Sequence, residues 1–276
     1  MMPLPKKPKE SVNPYLLKIE RILIQNGKST HRSVRRMLLN GEVTVNGKTI
    51  TSTSHLVDTK NDILCIKGER VSLTPHIYLM LNKEQDKVCS TVSGMLHTSV
   101  LAQFSPEILN PPDLPGLHIV GRLDADTEGL LLLTTDGHFS HFLTDPEKHI
   151  PKTYLVYLRD YVTHDERERY IEEFKQGVTV PPATKSPSFT TKPAELKWIE
   201  SDDKYCTLTG ADFTTCILTI TEGKFHQVKR MFLAMGNEVI FLKRIAMGNL
   251  YLDESLLPGQ YRPLSDIELS ELMELI

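Results

Sequence analysis

Apolar and polar residues alternate along this chain in short blocks, most of them too brief for long helices. Near the start, Tyr15, Leu16, Ile19 and Leu23 recur at helical spacing, predicting a helix over 15–25 that Asn26-Gly27 stops. A second helix is predicted over 30–39, closed by Asn40-Gly41. Val43-Thr44-Val45, the turn Asn46-Gly47 and residues 48–51 read as a hairpin with a two-residue loop. Residues 63–66 supply another strand. The pattern changes around 71–76, where Pro75 marks a linker, and 77–81 is again a strand. Residues 105–116, with four prolines, read as loop. Apolar runs at 118–123 and 130–134 read as strands buried on both faces. Strands are also predicted at 152–158, 194–199, 205–208 and 215–221, and helices from 138 and over 164–176, with 181–193 as loop. In 225–235, Val228, Met231, Phe232 and Met235 form an apolar stripe, while His226, Lys229, Arg230 and Leu233 line up opposite, and Gly236 closes the helix. Residues 264–276 form an acidic helix, expected as a solvated flank. Many strands with few helices favour an α+β fold with a largely antiparallel sheet.

Charge changes this picture more than overall composition does. The net charge of −3 over 276 residues hides a split. Residues 1–60 hold eleven Lys and Arg against four Asp and Glu, a balance of +7, and the remainder holds twenty-one against thirty-one, or −10. A basic head on an acidic body suggests a local site for a polyanion. Arg32, Arg35 and Arg36 stand at i, i+3 and i+4, so one helical face gathers all three. The four cysteines form no CxxC pair and read as reduced thiols of a cytoplasmic protein. No apolar run approaches the ~20 residues that span a bilayer, and residues 1–13 lack the apolar core of a secretory signal; they read as a disordered tail.

The candidate chemistry lies between the two buried strands, in Gly121-Arg122-Leu123-Asp124-Ala125-Asp126-Thr127-Glu128-Gly129. Carboxylates mounted where the chain leaves a rigid scaffold are more often chemical than structural. A calcium loop of the EF-hand type fails on position: its twelfth residue would be Thr135, and its flanks are strands. An aspartyl phosphatase motif fails too, since Glu128 stands where Thr or Val belongs. His138 and His141 lack the further ligands of a metal site.

Two resemblances draw these features together. The paired helices, the basic second helix and Gly41-Glu42-Val43-Thr44-Val45-Asn46-Gly47-Lys48 resemble the small αL RNA-binding module found in a ribosomal protein and several RNA-modifying enzymes. Its arginines and Lys48 would meet phosphate oxygens, positioning RNA without reading its bases. The GRLDADTEGLLLLTTDG stretch resembles the signature loop of pseudouridine synthases. Leu81-Asn82-Lys83, Lys152-Thr153-Tyr154, Lys192-Pro193-Ala194, residues 222–232 and 258–264 match in the same order. The likeness covers nearly all of 15–276 and extends to the branch that modifies ribosomal RNA with an αL module in front.

That resemblance implies an αL module over 14–72 and a catalytic domain over 73–276 with a mainly antiparallel mixed sheet. It implies isomerisation of a uridine in ribosomal RNA without metal or cofactor, by a monomer. The Phe225-His226-Gln227-Val228-Lys229-Arg230 form resembles the small-subunit enzymes, pointing to 16S rRNA or an assembling small subunit. A large-subunit synthase and a non-catalytic ribosome-assembly protein on the same scaffold are the alternatives. Asp124 would be the catalytic carboxylate, attacking sugar or base or helping to remove a ribose proton. Lys229 would hold it ionised and Tyr154 would pack against the target base, while Asp126 would support the loop through its backbone amides. Arg122, Thr127, His226 and Arg230 would surround the RNA. One departure is plain: the family's LNKPxG reads Leu81-Asn82-Lys83-Glu84-Gln85-Asp86, without its Pro and Gly.

Overall fold

The computed structural model describes residues 13, 15–25, 30–71, 73, 75–112, 114–184, 186–199 and 214–276. Most of the N-terminal tail, the Asn26-Gly27 stop and the strand expected at 205–208 lie outside them. The chain forms two compact units. One contains the described residues up to Tyr78 together with Ser105–Leu117 and Leu264–Ile276, and the other contains Leu79–Phe104 and His118–Pro263.

In the first unit the second helix, His31–Leu39, opens as its sequence predicts. Thr30 caps it and Ser33 closes a reciprocal capping box. Val34 and Leu38 are buried against Ile19, Ile22 and Leu23, leaving Arg32, Arg35 and Arg36 exposed. The predicted hairpin forms between Val43–Val45 and Lys48–Thr49. Asn46 and Gly47 both take positive φ, 51° and 78°, as a turn matching the strand twist requires. Two expectations are corrected here. Leu16–Lys18 is a strand paired with Leu56–Asp58, and the first helix is only Ile19–Gln25. A long-range ladder overrides a helical spacing that both structures satisfy. The acidic helix Asp266–Met273 is no mere flank, because Leu269 and Leu272 are buried and Asp266 accepts from Tyr15 Oη at 2.6 Å and Lys60 Nζ at 3.2 Å. Within 105–116, Pro106–Leu109 forms one helical turn with Pro at its start.

The second unit is built on a nine-stranded sheet, confirming the α+β class. Its main path runs Glu195–Trp198, Thr214–Ile220, Lys152–Leu158, Val239–Met247, Glu128–Thr134, Tyr78–Lys83 and Tyr261–Pro263. The strand Lys152–Leu158 lies antiparallel to both neighbours, whereas Glu128–Thr134 lies parallel to Val239–Met247, so the sheet is mixed. Helices His164–Gln176 and Gln227–Ala234 meet through Phe174 and Phe232, whose ring centroids are 5.1 Å apart. A short strand, Phe189–Thr190, pairs with Thr179–Val180 inside what reads as loop.

Gly129 permits the parallel junction beside the candidate site. Its φ is +100°, and a Cβ there would lie 2.3 Å from the Arg244 carbonyl oxygen and 2.9 Å from the Arg244 nitrogen. The nearest contact is backbone of the paired strand, which cannot swing aside as a flexible side chain would. Gly129→Ala is expected to destabilise the fold by about 3 kcal/mol, strain and overpacking combined, read as a lowered midpoint in denaturant unfolding.

Candidate active site

The acidic loop is the connection of a β-hairpin. His118–Val120 and Glu128–Thr134 pair antiparallel, with Val120 opposite Leu132, and residues 121–127 join them. The loop folds back on itself, since the Thr127 N–H donates to the Asp124 carbonyl at 3.1 Å. A second segment then holds it from outside. Lys83, 1% exposed, donates from Nζ to the carbonyls of Glu84 (2.9 Å), Ala125 (2.9 Å) and Thr127 (2.8 Å). The Asp86 N–H donates to the Ala125 carbonyl at 2.9 Å, and the Leu123 N–H to Cys89 Sγ at 3.3 Å. Burial pushes the Lys83 ammonium below its ordinary pKa, and the charges of Asp126, Glu128 and Asp124 work against that shift.

The departure from LNKPxG resolves in the same contacts. Asp86, at the position of the missing Gly, adopts φ 61°, a left-handed conformation that Asp tolerates better than most residues. The left-handed turn is therefore formed here without glycine.

The helix Gln227–Ala234 brings cations to this loop. Its N-cap, His226, also has left-handed φ (48°), and its Nε2 lies 3.6 Å from Asp124 Oδ1. Lys229 Nζ lies 3.9 Å from Asp124 Oδ2. Tyr154 comes from the strand Lys152–Leu158, and Arg122, Asp124, Thr127, Tyr154, His226 and Lys229 all line one open cleft. Asp124, with a side chain 31% exposed, can be reached by a ligand.

Four expectations are revised. Lys229 is not the partner of Asp124 alone, because its ammonium lies 2.5 Å from both carboxylate oxygens of Asp126. An ammonium with several donors serves both acids of the i, i+2 pair. Asp126 therefore does not act mainly through the loop amides. Burial raises its pKa, but the hydrogen bond and charge of Lys229 outweigh this and leave it lowered. Arg230 faces inward: its guanidinium donates to the carbonyls of Pro181, Pro187 and Phe225 and to Ser186 Oγ, and only 4% of the residue is exposed. It clamps the 181–187 loop and has no N–H left for RNA. Thr127 is 1% exposed and its Oγ1 is sealed from solvent, so it shapes the loop more than it presents a polar group.

Two buried cations escaped sequence reasoning, although each left a signal as a basic residue within or closing an apolar strand. Lys83 is one. The other is Arg244, 2% exposed, whose Nε donates to the Leu130 carbonyl at 2.8 Å and which stands opposite Tyr154 in the sheet.

Residues 77–234 match the RNA pseudouridylate synthase family, and the chain belongs to that family. Its relatives narrow the comparison further. It is 36% identical to ribosomal small subunit pseudouridine synthase A of Vibrio vulnificus (strain CMCP6), over 92% of this chain and 98% of the relative. Identity to the Escherichia coli (strain K12) protein of that name is 35%, over 93% and 100%. An uncharacterized RNA pseudouridine synthase of Bacillus subtilis (strain 168), YtzG, is 37% identical over 94% and 99%. A crystal structure of a pseudouridylate synthase superposes with a TM-score of 0.59 at 34% identity, covering 93% of this chain and 99% of that one.

Beside Tyr154 the sheet also carries Lys152, whose pKa burial pushes down to about 8, with the Arg244 charge adding to the shift. The folded state thus binds fewer protons than the unfolded state between about pH 8 and the ordinary lysine value near 10.4. Stability from this group rises with pH across that window. Wild type is expected to gain stability relative to Lys152→Met as pH rises from 8 to 10, as measured by urea midpoints; a constant difference would contradict the shift.

Proposed function

We infer that this protein converts a specific uridine of small-subunit ribosomal RNA to pseudouridine, with Asp124 as the reacting carboxylate. The observation that carries the reading is the convergence of Asp124, Tyr154 and Lys229 on one cleft from three separate elements. The small-subunit relatives support the substrate, since the likeness runs nearly end to end in both partners.

The reaction breaks the bond from N1 to the ribose, turns the base, and joins C5 to the same carbon. Substrate and product are isomers, so the protein has only to move protons, stabilise charge and hold the detached base. Each route open to Asp124, attack on sugar or base or removal of a ribose proton, starts from an ionised carboxylate. Lys229 Nζ and His226 Nε2 stand 3.9 Å and 3.6 Å from its two oxygens. Tyr154 and Arg122 both line the cleft, where the first would pack against the base and the second would meet a backbone phosphate. The uridine leaves its stack to reach Asp124, at a cost of a few kcal/mol that the cleft's contacts offset. We expect a monomer acting in the cytoplasm on ribosomal RNA or an assembling small subunit, with the arginines of helix His31–Leu39 and Lys48 engaging the phosphate backbone.

Pseudouridine mapping of small-subunit rRNA tests the reading. One pseudouridine present in wild-type cells should be missing both from a deletion strain and from a strain carrying Asp124→Ala. An identical map in all three would refute the enzymatic reading and favour a ribosome-assembly role. A second measurement concerns the basic helix. Replacing Arg32, Arg35 and Arg36 by Ala should weaken RNA binding and flatten the plot of log affinity against log salt by about 2 to 3 units. An unaltered slope would make the face a solvated surface only.

A further inference from the structure

We propose that residues 89–97 form a tip that inserts into the RNA, with Met95 and Leu96 entering the base stack beside the extruded uridine; this rests on the synthase reading above. The motivating observation is an inverted loop. Val92, Met95 and Leu96 are 71%, 104% and 89% exposed, although loops normally turn polar groups to water.

The exposure does not reflect an unstructured segment. The Gly94 N–H donates to the His97 carbonyl at 2.9 Å, which closes the chain around Met95 and Leu96. Ser99, itself 4% exposed, ties the loop at two points: its Oγ donates to the Ser90 carbonyl at 2.5 Å, and its N–H donates to Ser93 Oγ at 3.0 Å. The Val92 N–H donates to Ser90 Oγ at 3.2 Å. Four hydrogen bonds thus hold the loop in shape while it presents its apolar side chains, an arrangement pre-organised for a partner.

Two observations identify that partner as RNA at the reaction site. First, the loop's root is part of the mount of the catalytic carboxylate, since Cys89 Sγ accepts from the N–H of Leu123, the residue before Asp124. Met95 follows Cys89 by six positions, so the tip stays within about 20 Å of the loop's root. Second, residues 87–106 contain no Asp or Glu, whereas the chain from 61 onward carries a balance of −10. A stretch free of carboxylates lets a polyanion approach an otherwise acidic body. The chemistry then fits: extruding a uridine leaves a gap in the stack, and Met and Leu are among the side chains that proteins wedge between bases.

The test uses the full-length protein and a small-subunit rRNA transcript. With p-benzoylphenylalanine replacing Met95, irradiation should crosslink RNA, with primer-extension stops flanking the mapped pseudouridine. Crosslinks only to a second copy of the protein, or stops remote from that uridine, would overturn the proposal. Independently, the double variant Met95→Ser, Leu96→Ser should lower kcat/KM on the folded transcript on the order of tenfold or more. On a short unstructured oligonucleotide carrying the same uridine it should match wild type, because no stack needs opening. Its melting temperature should be unchanged, as both side chains are exposed. Equal kcat/KM on the folded transcript would sink the wedge. Wild-type protein inactive on both RNAs would instead overturn the synthase reading, and this proposal with it.

Discussion

A lysine ammonium sealed inside the protein holds the loop on which the proposed chemistry depends. A buried cation is costly unless its donors are satisfied, and Lys83 meets that condition by hydrogen-bonding three carbonyls, two of them in the 121–127 loop. The dependence is mutual. Those carbonyls gain a cationic donor close to the Asp124 loop, and the lysine would otherwise be buried without acceptors for its N–H groups. With the Asp86 amide donating and the Cys89 sulfur accepting from the same segment, a turn of seven residues becomes rigid enough to aim a carboxylate.

Around that mount the charges are shared rather than paired one to one. Lys229 holds Asp126 closely and Asp124 more loosely, and His226 stands near Asp124 on the other side. A reacting carboxylate locked into a short bidentate pair would be poorly placed to attack or accept a proton. Leaving the tight contact to Asp126 keeps a cation within reach of Asp124 without engaging both of its oxygens. Burial of Arg230 serves the same helix from beneath, since its hydrogen bonds fasten the 181–187 loop against the turn that carries His226.

Local pattern made much of this legible. Spacing and caps located helix His31–Leu39, hairpin Val43–Thr49, strand Lys152–Leu158 and helix His164–Gln176, because each is specified by its own residues. Pattern failed where distant chain decided the outcome. Leu16–Lys18 is a strand because Leu56–Asp58 lies beside it, and the acidic C-terminal helix packs its Leu269 and Leu272 inward. The altered Glu84-Gln85-Asp86 turn was readable only as a loss of Pro and Gly; the structure shows Asp86 taking a left-handed conformation there.

Sequence by itself determined which groups are available: two carboxylates on a Gly-bounded turn, a tyrosine in a strand, and an amphipathic helix with a cationic side. Those are properties of residue type and spacing, which local chemistry sets. Tertiary structure decided which of them meet. Whether an arginine faces RNA or a protein carbonyl, whether a lysine holds one acid or two, and whether a lysine at the end of a strand braces a loop 40 residues away all depend on packing across the chain. No local spacing encodes such distances.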